Sequence, residues 1–174
     1  MISDNNNILN QIVILAGGFG TRLKSRIGDI PKPMALIGDI PLLEHHISLC
    51  YKYGFNRILL LVHYRADVIM DYFGDGSKFN VHISYKVEIV PRGTAGAVLD
   101  CLDLLADNFM VLYGDTFLEV DLLKFYKFHN TNNWSATLFL HPNNHPYDSD
   151  LVEIDSCGNL LAIHSRSEER RVGK

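Results

Sequence analysis

The sequence predicts an α/β fold, a mostly parallel sheet with helices on both faces. Three observations carry this. Short apolar runs of strand length recur along the chain, longer segments with apolar residues at three- and four-residue spacing lie between them, and the two kinds alternate strand then helix four times. Parallel neighbours cannot be joined by a tight turn and need a crossover segment, so the alternation reads as successive crossover units.

The first run, Gln-Ile-Val-Ile-Leu at 11–15, is apolar almost throughout and bounded on both sides, which suits a buried strand. The runs at 57–62, 81–85, 109–113 and 136–140 read the same way. Helices are predicted at 41–53, 65–73, 94–106 and 121–129, and Gly54 stands where a left-handed residue closes the first of them. From Val152 the style changes: Val-Glu-Ile-Asp, a Ser-Cys-Gly-Asn turn and Leu-Leu-Ala-Ile-His predict a hairpin. Residues 1–164 are therefore taken as one domain. Residues 165–174 abandon the core pattern for charges of both signs; they read as a non-native tail, the alternative being the start of an exposed helix.

Length and composition narrow the function classes. A chain of 174 residues with 47% hydrophobic content can bury one core. Its net charge of -4 excludes a strongly basic nucleic-acid binder, so any phosphate site must rest on local cations. The three cysteines, Cys50, Cys101 and Cys157, form no C-x-x-C pair and suggest neither a disulfide framework nor a zinc site. No apolar stretch approaches the length of a membrane span, and a cytoplasmic protein without a membrane partner is expected.

The chemistry concentrates after the first strand, in Leu15-Ala-Gly-Gly-Phe-Gly-Thr-Arg-Leu23 followed by Pro31-Lys-Pro-Met34. Gly17, Gly18 and Gly20 let backbone N–H groups form a concave arc that an anion can approach closely. A dinucleotide fingerprint would need a glycine where Leu23 stands, and a Walker loop would need Gly-Lys-Ser/Thr where Gly20-Thr-Arg stands. Arg22 follows the arc and Lys32 is held between two prolines, so two cations flank an amide nest: a polyphosphate clamp. The plainer alternative is an ordinary turn with surface cations.

These residues resemble the signature of the sugar-1-phosphate nucleotidylyltransferases, which join a nucleoside triphosphate and a sugar 1-phosphate with release of pyrophosphate. The resemblance runs from about 11 to 163. Val90-Pro-Arg-Gly-Thr-Ala-Gly-Ala97 is similar to the family's second nucleotide-side loop, and Leu112-Tyr-Gly-Asp-Thr116 to its metal-binding strand end. It implies a Rossmann-like three-layer α/β/α nucleotidyltransferase fold, truncated at its C-terminal side so that the sugar-binding part is incomplete.

By the same resemblance, Arg22 and Lys32 serve the reacting phosphates, and Leu15, Ala16, Gly17, Gly18, Gly20, Thr21 and Gly93 bind the nucleotide. Glu88 and Gly114 are assigned to substrate, and Asp115 to Mg²⁺. Each has a plainer alternative: Asp115 or Thr94 could cap a helix, and Glu88 could be a solvated strand-end carboxylate. The implied partners are a nucleoside triphosphate and a sugar 1-phosphate, with a homo-oligomer left open.

Eight histidines invite a metal-site reading, but adjacent His45 and His46 point in different directions on a helix and form no ligand pair. The turn-rich segment at 141–150 resembles a loop of enzymes handling mannose- and heptose-type 1-phosphates, which selects GTP as the expected nucleotide. Two other readings stay open: a non-catalytic binding or regulatory subunit of the same fold, and an inactive fragment.

Overall fold

The computed structural model describes residues 11–18, 28, 30–90, 92–132, 134–142 and 150–164. The chain divides after Asn133 into two compact units. In the first, strand β1 (Gln11–Leu15) pairs in parallel with β4 (Arg57–Val62) on one side and with β6 (Phe109–Tyr113) on the other, and β5 (His82–Val87) pairs in parallel with β4. The order is β5-β4-β1-β6. Between β1 and β4 the short strands β2 (Leu36–Ile37) and β3 (Ile40–Pro41) make a small antiparallel hairpin.

Helices α1 (Leu42–Lys52), α2 (Ala66–Phe73), α3 (Gly93–Leu99) and α4 (Leu122–Asn132) follow β3, β4, β5 and β6. They cover both faces. Alternate residues of a strand face opposite ways, so Ile12 and Ile14 join Leu43, Ile47, Ile58, Leu60, Ile69, Phe73 and Leu122 in one core cluster. Val13, Leu59 and Leu61 join Ala97 and Cys101 in the other. This is the expected α/β/α layering. α1 ends as expected: Gly54 has φ 82, and the N–H groups of Gly54 and Phe55 return to the carbonyls of Tyr51 and Cys50 at 3.0 and 2.9 Å, a Schellman closure.

Two expected elements differ. The helix predicted at 94–106 stops at Leu99, and a 3-10 turn, Leu102–Leu104, replaces its second half. The buried Gln11 side chain explains the break: its Nε2 donates to the Leu104 carbonyl at 2.9 Å and its Oε1 accepts from the Ala106 N–H at 2.7 Å. The strand predicted at 136–140 is not one, for none of these residues has a ladder partner among the described residues, and Leu138 and Phe139 are half exposed.

In the second unit β7 (Leu151–Ile154) and β8 (Leu160–His164) form the expected antiparallel hairpin. Asp155 organises its turn by accepting the N–H groups of Cys157 and Asn159, both at 2.8 Å. The Asn159 side chain and these amides hold its carboxyl below the usual range. The tail at 165–174 lies outside the described residues.

Candidate active site

Strand order locates the site before any side chain is considered. The chain moves outward from β1 to β4 and β5, then crosses back to place β6 on the other side of β1. The carboxyl ends of β1 and β6 are therefore the switch point, the place where open parallel sheets receive ligands. Residues 16–18 leave β1 there, and Gly114 and Asp115 leave β6.

Gly114 keeps the two strand ends together. Its N–H donates to the Leu15 carbonyl at 3.0 Å, and a Cβ on it would lie 2.8 Å from that same oxygen. A side chain there would force the strands apart. Asp115 comes next and is exposed. Its Oδ2 accepts from Lys32 Nζ at 2.6 Å, and its Oδ1 from Thr116 Oγ1 at 3.3 Å. Asp115 caps no helix; that role falls to Asp121, whose Oδ1 accepts the Lys124 N–H at 2.8 Å at the start of α4.

Lys32 opens a short 3-10 turn, Lys32–Met34, whose Pro33 and Met34 are buried while the lysine head stays at the surface. With side-chain exposures of 32% and 42%, the Lys32–Asp115 pair adds about 0–1 kcal/mol to stability. Its importance lies in placing a cation and a carboxylate together at the switch point.

On the other side of β1, Glu88 follows β5 and reaches toward Gly17: a Cβ on Gly17 would meet Glu88 Oε2 at 2.7 Å and His63 Cβ at 3.3 Å. The His63 ring, just beyond β4, contacts the Glu88 carbonyl through Nδ1 at 2.7 Å; a carbonyl only accepts, so this nitrogen donates. The bare backbone at Gly17 thus makes room for groups converging from β4 and β5. His63 is absent from the residues that the sequence singles out, although its place directly after a buried parallel strand is a usable signal.

Gly18 and Gly93 are exposed, and a Cβ on either would meet nothing within 4 Å. Gly93 opens α3 with φ 72, a conformation that favours glycine, and Thr94 does not cap that helix. Leu15 and Ala16 complete the end of β1, with the Ala16 N–H tied to the Leu61 carbonyl at 2.8 Å. Gly20, Thr21 and Arg22 lie outside the described residues.

Asp115 is, among the described residues, the carboxylate that Lys32 meets at this strand end. Among the described residues no group of three or more His, Cys, Asp and Glu could enclose a cation. A single exposed carboxylate fits Mg²⁺, which keeps water and takes phosphate oxygens instead of needing an all-protein cage.

A parallel sheet whose order reverses at β1, with an ammonium held against a carboxylate at its carboxyl edge, places the molecule in the class of doubly wound α/β proteins. The chain belongs to the nucleotidyl transferase family, whose model matches residues 11–167. It is 46% identical over 114 residues, 66% of this chain and 51% of the relative, to D-glycero-alpha-D-manno-heptose 1-phosphate guanylyltransferase of Campylobacter jejuni. The enzyme of that name from Aneurinibacillus thermoaerophilus is 34% identical over 157 residues, 90% of this chain and 64% of the relative. The chain thus spans 51% and 64% of these two relatives.

Among solved structures, HddC from Yersinia pseudotuberculosis, complexed with GMP-PN, is 31% identical with a TM-score of 0.72, covering 90% of this chain and 69% of that one. A putative glucose-1-phosphate thymidylyltransferase from Bacillus anthracis has a TM-score of 0.82 at 21% identity, covering 90% of this chain and 64% of that one, and supports the fold alone.

Proposed function

We propose that this chain carries the nucleotide-binding, metal-holding part of a sugar-1-phosphate guanylyltransferase, joining GTP to a mannose- or heptose-type 1-phosphate with release of pyrophosphate. One observation carries the reading: Lys32 Nζ lies 2.6 Å from Asp115 Oδ2 at the switch point of the sheet. GTP is favoured because the two relatives above are named guanylyltransferases and a similar structure was solved with GMP-PN.

In the reaction an oxygen of the sugar phosphate attacks the α-phosphorus of GTP. The bond from that phosphorus to the bridging oxygen breaks, and pyrophosphate leaves with the electron pair. A phosphate monoester dianion is already nucleophilic, so no covalent intermediate on the protein is needed. The protein's task is to hold two mutually repelling anions in line and to neutralise the charge that develops. The backbone of residues 16–18 admits the triphosphate and Lys32 draws its charge toward the switch point. Arg22, Gly20 and Thr21 keep their phosphate-side roles, and Gly93 a nucleoside contact, by resemblance. Glu88 meets the base or sugar, and Gly114 keeps the substrate side of β6 open. Mg²⁺ held by Asp115 would supply charge neutralisation at the α-phosphate of the guanylyl group being transferred. The three free thiols suit a cytoplasmic setting, and no nucleic-acid or membrane partner is proposed.

The test is a matrix of GTP, CTP, UTP and dTTP against mannose 1-phosphate, glucose 1-phosphate and a heptose 1-phosphate with Mg²⁺, following pyrophosphate. GTP with a mannose-type sugar is expected to give the fastest release. Turnover with another base would move the assignment within the family. GTP binding without release for any sugar would replace the enzyme reading with that of a binding module.

A further inference from the structure

We propose that His46 is a positioning residue for this reaction: it fixes the main chain beside Asp115 and thereby sets the position of the metal-holding carboxylate. The inference rests on the reading of Asp115 given above. After Gly114 and Asp115 the chain runs from Thr116 to Asp121 without regular structure before α4 begins. Such a segment needs an anchor if it is to hold a ligand oxygen within a fraction of an ångström.

The anchor comes from α1. The inward face of that helix is Leu42, Leu43, Ile47, Leu49 and Cys50, with His46 the one polar side chain among its buried residues. At 3% exposure His46 must find partners, and both ring nitrogens face carbonyls: Nδ1 that of Leu42 at 2.9 Å, Nε2 that of Thr116 at 3.0 Å. A carbonyl only accepts and a neutral imidazole carries one N–H, so one of these two contacts is the hydrogen bond; with the proton on Nε2 the ring joins α1 to the Asp115 segment. The Phe117 ring meets His46 edge-on, with centroids 5.4 Å apart at 83°, and closes over the contact.

Lys32 and His46 act from one block of structure. The 3-10 turn carrying Lys32 is bonded to the start of α1, where the Leu42 N–H donates to the Ala35 carbonyl at 2.9 Å, and Met34 is buried in the same core cluster as Leu43 and Ile47. Lys32 grips the Asp115 carboxylate and His46 grips the backbone one residue on. The metal-side carboxylate is thus held at two points by the segment between β1 and β4. A plain core histidine would explain the burial, but not why its outer nitrogen is directed at this one carbonyl 70 residues away.

The test compares His46→Leu, which fills the space without a donor, with His46→Gln, whose amide can reach the Thr116 carbonyl, and His46→Asn, which is too short to do so. The readouts are Mn²⁺ affinity in the presence of GTP by electron paramagnetic resonance, hydrogen exchange of residues 114–117 without metal, and the melting temperature. His46→Leu and His46→Asn are expected to weaken Mn²⁺ binding by about 10-fold, the lower end of the effect of losing a ligand's supporting hydrogen bond, and to speed exchange in 114–117. His46→Gln should restore both, even where its melting temperature matches that of His46→Asn. If His46→Leu does not fold, the Gln and Asn pair decides.

Equal Mn²⁺ affinity in wild type and His46→Asn, or equal weakening in Gln and Asn, would overturn the proposal. If the wild type with GTP bound no Mn²⁺, the metal role of Asp115 would fall and this inference with it. The exchange data, which need no metal, keep the two failures apart: faster exchange restored by Gln would show the tether intact and the metal reading wrong.

Discussion

Lys32, Asp115, Gly17 and Gly114 show how much single residues decide here. Because the Lys32–Asp115 pair is half exposed, Lys32→Met should leave the urea midpoint nearly unchanged while lowering turnover by roughly 10²–10³-fold, the usual cost of one electrostatic contact to the transition state. Unfolding curves and pyrophosphate release on the same preparation check both halves. Gly114→Ala should do the reverse in kind: its Cβ would sit 2.8 Å from the Leu15 carbonyl, so two strand ends must separate, at about 1–3 kcal/mol in urea unfolding. Gly18→Ala, with nothing within 4 Å, should leave stability unchanged and act only on nucleotide affinity. Pro-Lys-Pro and Tyr-Gly-Asp are local patterns, so the sequence could point to Lys32 and Asp115, and the structure brings the two side chains together. The sequence did not point to His46, which meets a backbone carbonyl 70 residues away, and for His63, which meets one 25 residues away, it offered only the place after β4, because spacing carries no trace of the contacts themselves.

At the level of elements, the pattern was most readable where burial alone decides it. β1 and β4 occupy the expected residues, since a run closed in by neighbours must be apolar whatever else the chain does, and β6, which pairs with β1 alone among the described residues, occupies its expected residues as well. It failed where a partner decides. The run at 136–140 has strand composition but no ladder partner among the described residues, and the helix at 94–106 continues in sequence but not in structure because Gln11 takes the backbone groups of Leu104 and Ala106. That clamp yields a prediction. Gln11→Leu should destabilise the first unit by about 1–3 kcal/mol, since it removes both side-chain hydrogen bonds and leaves a backbone donor unpaired in a half-buried segment. Gln11→Glu keeps the acceptor but sets a buried carboxylate oxygen against the Leu104 carbonyl, so at neutral pH it should be at least as destabilising as Gln11→Leu. Urea unfolding followed by far-ultraviolet circular dichroism would order the three proteins, and equal midpoints for the wild type and Gln11→Leu would show that the break after Leu99 has another cause.

For the molecule as a whole, the two cores on opposite faces of the sheet each contain one cysteine, and the hairpin of the second unit carries the third. Cys50 and Cys101 are buried, while Cys157 is exposed. Burial pushes the Cys50 thiol from its ordinary 9.0 up to about 12 and raises that of Cys101 as well. The thiolate is the reactive form, so a disulfide reagent at pH 8 should label Cys157 at once and the other two only as the sheet opens. If both faces unfold together, Cys50 and Cys101 should become reactive over one urea transition; separate transitions would mean that the α3 face opens alone. The raised thiol also sets a sign for alkaline stability. Below about pH 9 the proton is bound in both folded and unfolded chains and no pH dependence follows. Between about 9 and 12 the unfolded chain loses it first, so stability falls with rising pH by up to about 1.4 kcal/mol per pH unit for this one group. Cys50→Ala would lower stability at neutral pH by leaving a small cavity, yet should flatten that alkaline slope. Parallel slopes for the two proteins between pH 9 and 10.5 would assign the alkaline loss to other groups, Tyr85 first among them, whose phenol burial also pushes to about 12.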